Sequence, residues 1–456
     1  MSGLSSIMDT SLSALLAAQA GLATSGHNIA NANTPGYNRQ DVVFGTRQPR
    51  ILPYGSIGRG VEVQGIRRIQ DEFLLGNLRS QAARLNSYAS VDTTLYDIEG
   101  VLGSVDNDHL GNALNKFFAA WNDLAQPPFS LGLKEGVLTA ARTLVDDFHA
   151  IDDALGQIED DLNRNIQAEI DNLNRLLTGV GDMNRQVMSA ETNGQPANDL
   201  RDQRDLLVTR IAELAEVTVL NRDDGSQDII LAGRTMVARD HVTLLEGTPA
   251  AAGSGYRLDV VTAASQQAVT LSEGRLQGLL NSRDIHLDQV RSQLDTVAAQ
   301  LVAEVNALHT QGTTVAGSGI AFFTGSTMRD IAVNSAVADN PGLVARGRTG
   351  ADGDNELALA IADLADNGRL RPDNRSVGES YRVLVLEIAG QRNSHDFMVE
   401  NQQSVVASLS ARMASISGVS LDEEGANLVR YQNSYNAAAK VIATVQEMYD
   451  TLLNMV

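Results

Sequence analysis

From Leu428 to the carboxyl end, apolar side chains recur at steps of three and four: Leu428, Tyr431, Tyr435, Ala438, Ile442, Val445, Tyr449, Leu452 and Val456. This spacing predicts an amphipathic helix with a heptad seam. Such a stripe is marginal alone in water, because most helical stability comes from packing the apolar face against something. It predicts either docking on the chain's own core or a partner helix. The opposite end offers one: Met8, Leu15, Leu22 and Ile29 recur every seven residues, with Ser11, Ala18 and Ser25 between them. Small side chains let two helices approach closely, and the apolar surface left over can face neighbouring subunits.

Between the ends the pattern alternates in period. A first helix is expected from Ser2 to Ala30, stopped in NANTPGYNRQ, where Pro35 and Gly36 forbid continuation. Short strands at Val42 to Phe44 and Val61 to Val63 follow, and helical spacing returns from Asp71 to Asn122. Past Pro127 and Pro128 the longest helix runs from Leu133 to Met188. Its seam passes through Leu144, Phe148, Ile151, Leu155, Ile158 and Leu162, takes successive steps of four through Ile166 and Ile170, and resumes at Leu173, Leu177 and Val180. A further helix spans 198 to 214. Strands are expected at Val217 to Leu220, Ile229 to Ala232, Val242 to Leu245, Tyr256 to Val261 and Val269 to Leu271, with a flexible GTPAAAGSG at 247 to 255. A helix from Gly274 to Thr310 comes next. Residues 311 to 378, rich in Gly, Ala, Asp and Asn, read as a short flexible insertion holding one short helix, Glu356 to Leu364. Helix returns from Glu379 to a turn at Gly418, after which Ser420 caps the last helix.

The expected fold is mainly α with a smaller antiparallel β part (α+β). Residues 1–65 with 418–456 would form a terminal coiled-coil domain, and 66–215 with 274–310 and 379–417 a helical middle domain. Residues 216–273 would form a β-rich part and 311–378 the insertion.

Charge narrows the partners. The 456 residues carry a formal charge of −21, which disfavours nucleic acid and anionic membrane surfaces, both of which reward clustered Lys and Arg. The amino-terminal apolar residues are interrupted by Ser, Asp, Thr and Gln and lack a basic leader, so neither a cleaved signal nor membrane insertion is expected. There is no cysteine, hence no disulfide and no thiolate metal site.

Chemistry is scarce. The seven histidines, at 27, 109, 149, 241, 286, 309 and 395, show no metal-binding pair at helical spacing. The acidic clusters Asp223, Asp224, Asp228 and Asp352, Asp354, Glu356 lack the ligand spacing of a calcium loop and read as solvated turns. The glycine pairs at 58, 60 and 317, 319 lack a strand-to-helix context. No nucleophile motif stands out, so no catalytic residue, metal or cofactor is expected. Asp199, Arg201, Asp202, Arg204 and Asp205 interleave charges at the start of the helix at 198; on charge alone they read as a solvated face.

The two ends together resemble the axial proteins of the bacterial flagellum. SLSALLAAQAGLATSGHNIANANTPGYNRQ, with Asn28, Ala30, Asn31, Thr34, Gly36, Tyr37 and Arg39, looks like the shared rod and hook signature, and SGVSLDEEGANLVRYQNSYNAAAKVI like its carboxyl-terminal counterpart. The long helical region, NDLRDQRD and GRGVEVQGIRRIQDEFLLGNLR are similar to the flagellar hook-associated protein 1 family. That resemblance implies a non-enzymatic structural protein, secreted through the flagellar export apparatus to the hook tip. It implies self-assembly into a ring on the hook protein, and support for a second hook-filament junction protein and the filament. It also implies a cytoplasmic export chaperone on the carboxyl-terminal helix. Asp199 to Asp205 then become a structural charge network. Longer members carry a β-rich insertion near 311 to 380, for which this chain has only a short polar stretch. The alternatives are a hook or distal-rod axial protein, or a secreted enzyme or adhesin sharing flagellar export signals.

Overall fold

Capping residues set where the long helices begin. Asp71 accepts from the Leu74 amide at 3.0 Å, Ser130 from Leu133 at 3.3 Å, and Ser376 from Glu379 at 3.2 Å; each satisfies an amide that the first helical turn leaves free. The computed structural model describes residues 2–52, 55–103, 109–127, 130–250, 257–368 and 375–454. Its helices are α1 (Ser2–Asn31), α2 (Glu72–Leu102), α3 (His109–Leu124), α4 (Leu131–Ala190), α5 (Asn198–Leu214), α6 (Arg275–Asn281), α7 (Asp288–His309), α8 (Ser335–Asp339), α9 (Glu356–Ala362), α10 (Val377–Ser417) and α11 (Leu421–Asn454). The fold class is as expected, mainly α with small antiparallel sheets.

The 60 residues of α4 span about 90 Å at the helical rise and form the spine of the body. The heptad seam read from the sequence is buried along α4, with Ile158 packed at its edge. It meets α3, α5 and α7 in one continuous core. At one end of that core Trp121 of α3 meets Phe322 edge-on, with centroids 5.5 Å apart, and Phe117 meets the same ring tilted at 6.0 Å. α2 and α10 pair alongside, and Tyr381 anchors α10 by donating to the Leu102 carbonyl at 2.7 Å.

Several elements differ from expectation. The helix placed at 71 to 122 is two helices: Gly103, at φ +83, ends α2. The helix at 274 to 310 is interrupted by a π-turn, Ser282–Leu287, inside which the buried Arg283 reaches Asn163 and the Leu258 carbonyl, both at 2.9 Å. Strand Arg234–Ala238 was not anticipated, because its hairpin turns on Ala232 and Gly233, both at positive φ, and Ala is rare in such a turn. Part of the supposedly flexible 247 to 255 belongs to strand Leu245–Ala250, paired with Arg257–Thr262; residues 251–255 and Tyr256 lie outside the described residues. Asn174 of α4 fixes that hairpin by exchanging two 2.8 Å bonds with the Leu245 backbone.

The expectation of a flexible insertion at 311 to 378 is corrected. Phe322, Phe323, Met328, Ile331, Val337, Val344, Leu357, Ile361 and Leu364 are all buried against the body. Asn306 of α7 holds the segment by accepting from the Phe322 and Phe323 amides and donating to the Phe323 carbonyl. A few large apolar residues suffice to order a chain whose average composition is polar. Residues 369–374 lie outside the described residues.

Candidate assembly interface and polar junction

The two chain ends pair: α1 lies along α11. The buried face of α1 is made of small residues, Ser11, Ser13, Ala17, Ala18, Gly21, Thr24, Ser25 and Asn28. At Gly21 an added Cβ would stand 2.6 Å from the Tyr431 ring, so the close approach depends on that glycine. Strands Gln40–Thr46 and Val61–Arg68 pair beside α1, and Ser13 Oγ accepts from the Val61 amide at 3.2 Å.

The large residues that define the stripes in sequence lie elsewhere. Met8, Leu15, Leu22 and Ile29 are only half-buried, as are Leu428, Tyr431, Ile442 and Tyr449; Ala438 and Val445 are buried, while Tyr435 and Leu452 are exposed. Val456 lies outside the described residues. Two helices in contact through small side chains cannot also cover large ones on the flanks, so the seam is displaced from where heptad spacing puts it. Leu12, Leu16 and Leu453 remain 49%, 50% and 74% exposed, and Ile7, Val429, Val441 and Met448 join them. The stretch Val377–Asn454 includes a helical window apolar enough by length and composition to cross a membrane, yet only 6% buried. A patch of this kind marks an interaction surface.

The terminal motif and the charge network, read separately in sequence, form one junction. Asn31 and Thr34 shape the turn after α1: Thr34 Oγ1 donates to Asn31 Oδ1 at 3.1 Å, and Gly36 at φ +79 lets the chain pass Leu206. Asn28 then exchanges two 2.9 Å bonds with the Gln40 backbone and accepts from the Tyr37 hydroxyl at 2.7 Å. Gln40 Nε2 donates to Asp199 at 2.7 Å, and Asp199 also lies 3.2 Å from His27 Nε2. Asp202 accepts from the backbone and side chain of Asn38, at 3.0 and 2.7 Å, and from Arg68 at 2.8 Å. Arg68 also donates to Asp205 at 2.8 Å, and Arg79 approaches Asp205 at 3.6 Å. Arg39 closes the circuit. Its amide donates to the Ser417 carbonyl at 2.8 Å, and its guanidinium meets Glu423 and Glu424 at 2.8 and 3.0 Å. Residues from α1, the strand after it, α5, α2 and the start of α11 thus share one network.

The solvated-face reading of the charge run therefore gives way: Asp202, Arg204 and Asp205 are buried. Only Asp199 stays largely open, and Arg201 is clamped by Glu191 through two 2.6 Å bonds. Sequence reading missed His27, Asn38, Gln40, Arg68 and Arg79 on the partner side, and Glu423 and Glu424, which appeared there only as letters of the carboxyl-terminal motif. It also missed a second buried cluster, in which Glu159 holds Arg257 and Arg291. The acidic clusters weighed for calcium are engaged in turns. Asp228 is bonded by Arg222, Asp224 by Ser226 and Arg239, and Asp354 by Thr349. Among the described residues no group of three or more His, Asp or Glu is placed to hold a metal ion. His309 sits in the core, accepting at Nε2 from the Ala345 amide at 3.1 Å.

Burial and charge act in opposite directions at this junction. Burial pushes the Asp205 carboxyl up, but Arg68 and Arg79 outweigh it and hold the group below the usual range. At Asp202 burial wins over Asn38 and Arg68, and its pKa is raised. Glu191 behaves like Asp205: burial raises it, and the Arg201 fork with the Ala197 amide brings it below normal. A lowered carboxylate contributes stability that is complete above its unfolded pKa and lost as pH falls through the folded one. Urea unfolding of Glu191→Gln against wild type should therefore show its largest gap at neutral pH and a smaller one at about pH 3, below the unfolded value. A gap of equal size at both pH values contradicts this assignment.

Paired chain ends, a helical body and apolar stripes left uncovered define a structural subunit built to pack against others. A family model described as the flagellar hook-associated protein FlgK helical domain matches residues 95–323. Models for the flagellar basal body rod FlgEFG protein C-terminal region and for the flagella basal body rod protein match residues 411–455 and 8–38. With half its length in that helical domain, the chain belongs to the FlgK family of flagellar hook-associated proteins. Flagellar hook-associated protein 1 of Bacillus subtilis (strain 168) is 27% identical over 98% of this chain and 97% of its own. Its Escherichia coli (strain K12) counterpart is 24% identical over 99% and 100%. The flagellar hook junction protein FlgK from Burkholderia pseudomallei shares the fold, with a TM-score of 0.68 at 14% identity over 75% of this chain and all of that one. The ends are shared with rod proteins; the body separates this chain from them.

Proposed function

We propose that this chain forms the junction between hook and filament, assembling as a ring on the finished hook and giving the filament a surface on which to build. The observation that carries this reading is the pair α1 and α11, which satisfies its own small residues and leaves Leu12, Leu16, Val441, Met448 and Leu453 facing outward. Repeated copies cover such a face by symmetry. The work of the molecule is then assembly and not catalysis. Its partners are copies of itself, the hook protein beneath and a second junction protein above. Passage through the flagellar export apparatus suits a chain without cysteine, which has nothing to cross-link while unfolded. A cytoplasmic chaperone on the carboxyl-terminal helix would cover the same apolar stripe before assembly. Electron microscopy of a deletion strain tests the reading. Hooks without filaments, with filament subunits lost to the medium and filaments restored by the intact gene, are expected; normal filaments on the deletion strain overturn it.

A further inference from the structure

α10 links the body to the paired chain ends. Its last buried apolar residue is Ile388, and beyond it only Gln402 and Ser417 are buried. Gln402 holds to Gln81 of α2 through bonds of 3.1 and 2.7 Å, and the Ser417 carbonyl receives the Arg39 amide. Between Ile388 and Gln402 two histidines meet. The half-buried His286 of the π-turn and His395 of α10 pack edge to face with ring centroids 5.6 Å apart, and Tyr88 of α2 stands edge-on to His395 at 6.3 Å. Three elements therefore share one imidazole pair.

The surroundings decide how this pair takes protons. Gln391 Nε2 donates to Glu387 at 3.3 Å, which turns its Oε1 towards His286 Nδ1, also 3.3 Å away, so that nitrogen carries the hydrogen of the neutral ring. The nearby carboxylates of the π-turn and α7 are already held: Asp284 by Arg283 and Arg257, Asp288 by Arg257. On α10, Glu387 accepts from Gln289, Gln293 and Gln391, and Arg392 bonds Glu99 of α2 at 3.2 Å. That leaves Asp92 of α2 to act on His395, and burial together with Asp396 pushes the Asp92 carboxyl above its usual range. Burial lowers the pKa of both imidazoles, and the charge of His286 lowers His395 further; the Gln391 bond and Asp92 recover only part. One proton on the pair is tolerated, whereas a second sets two like charges face to face. We propose that His286 and His395 form an acid-released latch, which holds α10 to the π-turn and α2 at neutral pH and lets the outer half of α10 come loose when both rings are charged. The two rings titrate as a coupled pair. A lowered pKa gives stability that is complete above the ordinary imidazole value of about 6.5 and lost as pH falls through the folded values.

Amide hydrogen exchange of the full chain at about pH 8 and about pH 5 tests this, with labelling times scaled to the intrinsic exchange rate. Peptides covering 389–402 should lose protection at the lower pH, while 297–305 of α7, in the core, should keep theirs. His286→Gln and His395→Gln each leave a single imidazole, so the loss should vanish in both, and either variant gives the reading where the other does not fold. His241→Gln, at a side chain 91% exposed, should lose protection over 389–402 as wild type does. Equal protection of 389–402 at both pH values in wild type, or a loss on acidification that persists in either latch variant, overturns the proposal.

Discussion

Asp205→Ala should cost about 3 to 5 kcal/mol of stability, the range found when one partner of a buried ion pair is removed. The carboxylate is buried between Arg68 and Arg79 and also accepts from Gln70 and Gln227, both at 3.3 Å. Its loss leaves the buried Arg79 without a carboxylate and Arg68 with Asp202 alone, and neither guanidinium can discharge within any ordinary pH range. Set against a total of about 5 to 15 kcal/mol for a typical domain, that is a large fraction. The urea midpoint should fall steeply, whereas Asp199→Ala, at a carboxylate 56% exposed, should cost within about 1 kcal/mol. A loss below about 1 kcal/mol for Asp205→Ala would show that the arginines relax into water and that the junction is not held by this carboxylate.

The second large effect leaves stability alone. Leu12→Asp combined with Leu16→Asp places two charges on the open face of α1, where both leucines are about half exposed in the single chain. Surface substitutions of this kind alter folding by about 0.5 kcal/mol or less. In a polymer the same positions would be desolvated against a neighbour, and a charge buried unpaired costs several kcal/mol per contact. Filament attachment should therefore be abolished while the thermal midpoint of the purified monomer stays within about 2 °C of wild type. Normal swimming by a strain carrying only the double variant would mean that this face is open to water in the assembly, and the proposed interface would have to be abandoned.

What the sequence made legible was periodicity. The α4 seam from Leu144 to Val180 could be read directly, because long amphipathic helices repeat one signal many times. The pairing of the ends was legible too, and the small residues Ser11, Ala18 and Ser25 marked between the stripe positions are buried on α1. What heptad spacing missed is Gly21, which lies against the Tyr431 ring and carries no hydrophobic signal. The network of Asp202 and Asp205 was invisible as a buried site, since its partners Asn38, Arg68 and Arg79 lie more than 120 positions away. A charge run looks the same whether water or arginine answers it. Residues 311 to 368 misled by average composition: a handful of buried side chains, with Phe322 and Phe323 at their centre, decided the outcome.

Arg39 joins the turn after α1 to Glu423, a partner 384 positions further along. During ribosomal synthesis at about 5 to 20 residues per second, the first helix waits roughly 20 to 80 s for that partner to be made. Everything between can finish folding sooner, since the body closes on itself from α2 to α10. The outermost helices are therefore the last to find each other, and a stop between Ser417 and Glu423 leaves the elements from α2 to α10 in the chain but the leading helix permanently unaccompanied.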